Sequence, residues 1–89
     1  MTTRTTTIVN KLGLHARPSA LLVTTAGKFE SEVFFRRDEL RVNGKSIMGV
    51  MMLAAEKGTE IVIEVDGPDE EAAADALAEV IASGFGEEI

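Results

Sequence analysis

Cysteine, tryptophan and tyrosine are absent from this 89-residue chain, and histidine occurs once. Without cysteine there are no disulfides and no thiolate chemistry, and a zinc site would have to combine one histidine with carboxylates. Four phenylalanines are the only aromatics and the net charge is −6, a composition that argues against nucleic-acid binding. The longest apolar run, Val50-Met51-Met52-Leu53-Ala54-Ala55, is far too short to span a bilayer. Met1-Thr2-Thr3-Arg4 leads into threonines and not into the apolar region of a signal peptide. The expectation is a soluble protein with no membrane insertion, compatible with a reducing cytoplasm. Residues 1–89 have room for one small domain with a single core.

Charge is unevenly spread. Residues 1–57 carry nine Lys/Arg against five Asp/Glu, a balance of +4, whereas residues 58–89 carry ten Asp/Glu and no Lys/Arg, a balance of −10. The acidic half reads as a solvated helix face that aids solubility, and the basic half as the part that meets acidic partners or phosphoryl donors.

Hydrophobic periodicity divides the chain into seven elements. Thr5-Thr6-Thr7-Ile8-Val9 is β-branched and predicts a first strand, broken by Asn10-Lys11-Leu12-Gly13. Ala16, Ser19, Leu22, Val23 and Ala26 recur at helical spacing, Pro18 is tolerated in the first turn, and Gly27 stands as a C-terminal stop. Glu32–Arg36 and Leu40–Val42 predict a hairpin turning at Arg37-Asp38-Glu39, and Asn43-Gly44 marks the next turn. Ser46 is placed to cap a short helix from Ile47 to about Leu53. Glu60–Asp66 alternates Ile61, Ile63 and Val65 on one face. After Gly67-Pro68, Asp69 is expected to cap an alanine-rich helix to about Ser83, with a buried stripe of Ala73, Ala76, Leu77 and Val80 and with Ile81 at its margin. The order βαββαβα predicts an α+β open-faced sandwich: a four-stranded, mostly antiparallel sheet with three helices on one face.

The sole histidine, His15, falls at the start of the first predicted helix, where the earliest backbone N–H groups lack intrahelical partners and the helix dipole is positive. Arg17 is two residues on, with a planar fork of donors, and Gly13 lets the backbone approach closely. A positive surrounding disfavours imidazolium and leaves a neutral nitrogen able to attack phosphorus; the same groups then hold the phosphoryl oxygens. No Walker glycine-lysine motif, carboxylate metal cluster or serine triad accompanies it. This site is read as one that accepts and donates a phosphoryl group without taking one from a nucleotide unaided. A lone histidine is more often a surface or capping residue; the helix start, Arg17 and Gly13 weigh against that bland reading.

Gly-Leu-His-Ala-Arg-Pro at 13–18 and Lys-Ser-Ile-Met-Gly-Val-Met at 45–51 resemble the two signature segments of HPr, the histidine phosphocarrier family of the bacterial phosphoenolpyruvate-dependent phosphotransferase system. The resemblance spans the chain in length and element order. It implies a carrier and not a self-sufficient enzyme, needing no cofactor or metal. His15 would accept a phosphoryl group on Nδ1 from phosphorylated enzyme I and pass it to a histidine of an enzyme IIA component. Arg17 and the backbone N–H groups of Ala16 and Arg17 would hold the phosphoryl group. Ser46 would be a regulatory site phosphorylated by an HPr kinase/phosphorylase, with the phosphate favoured at a helix start.

The partner surface is expected to combine Ala20 with Ile47, Met48 and Met51, because one short helix cannot bury all of its apolar residues and methionine suits a surface that meets several partners. A monomer is the family default. Ser19, Gly44, Thr24 and Gly27 depart from the commonest family pattern and bear on partner affinity and kinase recognition. Two alternatives remain. Asn10-Lys11-Leu12-Gly13 and Ser83-Gly84-Phe85 resemble the regulatory, nitrogen-type branch of the system. A chain phosphorylated at Ser46 would instead serve as a corepressor-type interaction module.

Overall fold

The computed structural model describes residues 1–89. The elements are β1 (Thr2–Thr7), α1 (Ala16–Gly27), β2 (Glu32–Arg37), β3 (Leu40–Asn43), α2 (Ile47–Met52), β4 (Glu60–Asp66) and α3 (Glu70–Ala82), followed by a 3₁₀ turn over Gly84–Gly86. The strands form one sheet in the order β1-β4-β2-β3, with every neighbouring pair antiparallel. The βαββαβα order and the open sheet agree with the fold expected from periodicity.

Strand alternation decides which face is covered, since successive side chains point to opposite sides. Registers Val33↔Val65 and Phe35↔Ile63 put those four side chains in the core with Ile61 and Val42. The same core takes Leu22 and Ala26 from α1, Val50 from α2, and Ala73, Ala74, Leu77 and Ile81 from α3. On the open face, Glu64 accepts from Arg41 Nε at 2.7 Å and Arg36 Nε at 3.2 Å, and Arg41 lies 3.7 Å above the Phe34 ring. That stack covers part of an apolar ring that no helix protects.

The segment leading into α1 is pinned to the segment leaving α2. Leu14 N–H donates to Ala55 O at 2.8 Å, and Asn10 Nδ2 donates to Gly13 O at 2.9 Å. Gly13 has φ +68°, and a Cβ there would stand 2.5 Å from Ala55 O and 2.8 Å from Glu56 Cα. Only glycine meets both demands.

Several boundaries differ from the sequence-based expectation, each for a local reason. β1 runs from Thr2 to Thr7 and not from Thr5 to Val9. Ile8 is fully buried but leaves the ladder to bond the β4 approach turn, donating to Thr59 O and accepting from Gly58 N–H. Gly27 is the last helical residue and not a left-handed stop; Lys28 caps α1 in right-handed conformation. Asp69 stands at the N-cap of α3, yet its carboxylate makes no cap bond. It accepts instead from the N–H groups of Glu30 and Ser31 and from Ser31 Oγ, tying the α1–β2 turn to the start of α3. In α3 the fully buried stripe is Ala73, Ala74, Leu77 and Ile81, while Ala76 and Val80 are half-buried. The helix lies across β1 and β4, and two adjacent alanines are small enough to face the sheet together.

Candidate functional site

His15 is the N-cap residue of α1, with extended backbone (φ −77°, ψ −173°) and no side-chain cap bond. Its ring is therefore free for other partners. The first intrahelical bond runs from Ser19 N–H to His15 O at 3.1 Å. Pro18 has no N–H, so the N–H groups of Ala16 and Arg17 are the two donors that α1 leaves at its start. Ser19 is fully buried and its Oγ donates to Leu14 O at 3.2 Å. This hydroxyl fastens the turn that carries His15.

A residue that sequence reasoning missed completes the arrangement. Glu87, just beyond the Gly84–Gly86 turn, brings its carboxylate to His15. Nε2 lies 3.0 Å from Oε1 and 3.1 Å from Oε2. Arg17 Nη1 donates to Oε2 at 3.0 Å, and Asn10 Nδ2 donates to Oε1 at 3.1 Å. The Glu87 side chain is 13% exposed, against 38% for His15 and 71% for Arg17. The hydrogen bond with His15, ahead of those from Arg17 and Asn10, holds the Glu87 carboxyl below its ordinary range; partial burial pulls the other way. An ionised carboxylate only accepts, so this contact requires the proton on Nε2. Nδ1 makes no hydrogen bond within the protein.

The electrostatics differ accordingly from the all-positive site read from sequence. Two free amides, the helix dipole and Arg17 face a carboxylate already in place. Arg17 spends one of its five N–H donors on Glu87 and keeps the others for an incoming anion. No local signal marks Glu87: it follows a glycine near the end of the chain, 72 positions from His15. The tail reaches the site because Gly84, Phe85 and Gly86 all take positive φ (72°, 59° and 71°), with Phe85 buried, and because Lys11 N–H donates to Glu88 O at 2.7 Å. A shallow depression of about 190 Å³ beside this contact is lined by Lys11, Leu12, Glu87 and Glu88.

Ser46 caps α2, its Oγ accepting from Gly49 N–H at 3.1 Å. α2 divides its apolar side chains: Val50 and the following Leu53 are buried, whereas Ile47, Met48, Met51 and Met52 are exposed. Ala20 of α1 is half-buried and Leu12 and Leu21 are exposed. No three His, Asp or Glu side chains are grouped to hold a metal ion, and no helix is long and apolar enough to cross a membrane.

Fold and site together define a small α+β protein with a histidine at the start of a helix, beside an arginine and a carboxylate. The family model described as "PTS HPr component phosphorylation site" matches residues 2–83, and the chain belongs to the HPr family of phosphotransferase-system phosphocarriers. It is 58% identical over 87 residues to the phosphocarrier protein HPr of Cupriavidus necator, covering 98% of both chains. Among solved structures, HPr-C-His from Thermoanaerobacter tengcongensis superposes with a TM-score of 0.95 at 48% identity over the full length of both chains. An HPr dimer from the same organism gives 0.78 at 50% identity, covering 90% of this chain and 92% of that one.

Proposed function

We propose that this chain carries phosphoryl groups on His15, receiving them on Nδ1 from phosphorylated enzyme I and donating them to a histidine of an enzyme IIA component in the cytoplasm. The carrying observation is that His15 holds its Nε2 face against Glu87 while Nδ1 stays free at a helix start with two unpaired amides and Arg17. Nδ1 attacks phosphorus, and the bond from phosphorus to the donor breaks with its electron pair leaving on the donor. The amides of Ala16 and Arg17 and the Arg17 guanidinium then hold the phosphoryl oxygens. Transfer to enzyme IIA reverses the sequence.

Ser46 is the regulatory position of this reading. Its Oγ stands at the start of α2, where a phosphate is favoured by the dipole. About two added negative charges there would border the exposed Ile47, Met48 and Met51, which with Ala20 form the partner surface. Incubation with enzyme I and phosphoenolpyruvate tests the reading. The wild type and Ser46→Ala are expected to take an acid-labile, alkali-stable label that His15→Ala lacks. HPr kinase/phosphorylase with ATP is expected to label His15→Ala but not Ser46→Ala. A wild-type chain unlabelled by enzyme I would sink the carrier reading.

A further inference from the structure

We infer that Glu87 is a positioning residue for His15: it keeps the ring proton on Nε2 throughout the phosphoryl cycle, so that Nδ1 is always the reacting nitrogen. The inference rests on the carrier reading above and concerns a residue 72 positions from the histidine, in the tail after α3. The geometry is that of a carboxylate set behind an imidazole. Both Glu87 oxygens lie within 3.1 Å of Nε2, and Asn10 and Arg17 each donate to one of them. The oxygens are therefore braced from two further directions, and the ring is held by a fixed group and not by a swinging tail. A hydrogen bond at one ring nitrogen selects the tautomer and so names the other nitrogen as the nucleophile.

Charge bookkeeping gives the carboxylate work in both directions of transfer. When the Nδ1 lone pair forms the bond to phosphorus, the donor keeps the electrons of the bond it loses. Nε2 retains its proton, and the ring becomes cationic beside the Glu87 carboxylate. When the phosphoryl group departs, the electrons of the N–P bond return to Nδ1 and the ring leaves as neutral imidazole. If Nε2 had lost its proton, the leaving group would be an imidazolide anion, a far poorer one. Glu87 thus holds the proton that makes phosphohistidine a good donor, without touching the phosphoryl group.

The test is ¹⁵N NMR of the His15 ring in the full chain, paired with phosphotransfer rates. In the wild type at a pH where the ring is neutral, Nε2 is expected to show the protonated-type shift and Nδ1 the lone-pair type. Glu87→Ala is expected to move both resonances toward a tautomer mixture. It should also slow phosphorylation by enzyme I about tenfold or more, the scale on which loss of a histidine-orienting partner acts. Glu87→Gln, whose amide oxygen still accepts from Nε2 but carries no charge, should keep the wild-type tautomer and slow phosphoryl donation to enzyme IIA. A merely structural tail contact would move neither the tautomer nor the difference between these two variants. A wild-type ring protonated on Nδ1, or identical spectra and rates in wild type and Glu87→Ala, would overturn the inference. A wild type that takes no label overturns the carrier reading instead, and the ring spectra still decide this one.

Discussion

The surroundings of Gly44 and Gly27 give these two glycines opposite tolerances. A Cβ at Gly44 would stand 2.5 Å from Val33 Cγ1 and 2.9 Å from Phe35 Cε2, two buried side chains of β2 with no room to retreat. Gly27 has open space around it within 4 Å and no positive φ. Gly44→Ala is therefore expected to lose about 1–3 kcal/mol by overpacking. Gly27→Ala should gain about 0.4–1 kcal/mol by restricting the unfolded chain. Urea denaturation midpoints measure both, and equal shifts of one sign would contradict the assignment. Gly44 was legible in the sequence as a turn residue, but its packing was not. Closeness to Val33 and Phe35 depends on how the β3–α2 turn lies over the sheet, which no local pattern encodes.

Periodicity located all seven elements because each depends mainly on nearest neighbours and on one buried face. What joins the elements was less legible, as Asp69 shows. Its position just before α3 suggested a cap, but the α1–β2 turn offers it three donors from Glu30 and Ser31, and the carboxylate goes there. The Ser31 hydroxyl first, then the Glu30 N–H, hold the Asp69 carboxyl below its ordinary value of 3.8. A carboxyl depressed in the folded state binds fewer protons there than when unfolded. It contributes stability in full above the unfolded value and loses it as pH falls through the folded one. The stability difference between wild type and Asp69→Ala is thus expected to be constant near neutral pH and to narrow as pH falls below about 3.8. Denaturation curves across that range check it; a difference that does not change with pH would mean the carboxylate charge plays no part in the clamp.

Folding brings together the two halves that differ so sharply in charge. Every ion pair links a cationic group in residues 1–57 to a carboxylate in residues 58–89, including Met1 with Glu70, Arg4 with Asp75, Arg41 with Glu64 and Arg17 with Glu87. The acidic half is not only a solvated face, and one of its carboxylates enters the site. This explains why half of the site was readable in advance. His15, Arg17 and the amides of Ala16 and Arg17 lie within three residues, whereas Glu87 reaches them through the tertiary fold. α2 shows the same division between fold and use inside six residues. Leu53, just past its end, is buried in the core, while Met48 is 74% exposed and stands outside the core cluster. Leu53→Ala is expected to cost about 2–5 kcal/mol, the usual range for a truncated core leucine. Met48→Ala should change stability by no more than about 0.5 kcal/mol. The prediction specific to the carrier reading is kinetic: Met48→Ala, folded like the wild type, should pass phosphoryl groups to enzyme IIA more slowly while its phosphohistidine hydrolyses at the wild-type rate. Slower transfer with unchanged hydrolysis places the defect in docking, because chemistry at His15 would alter both. Transfer at the wild-type rate would instead remove Met48 from the partner surface.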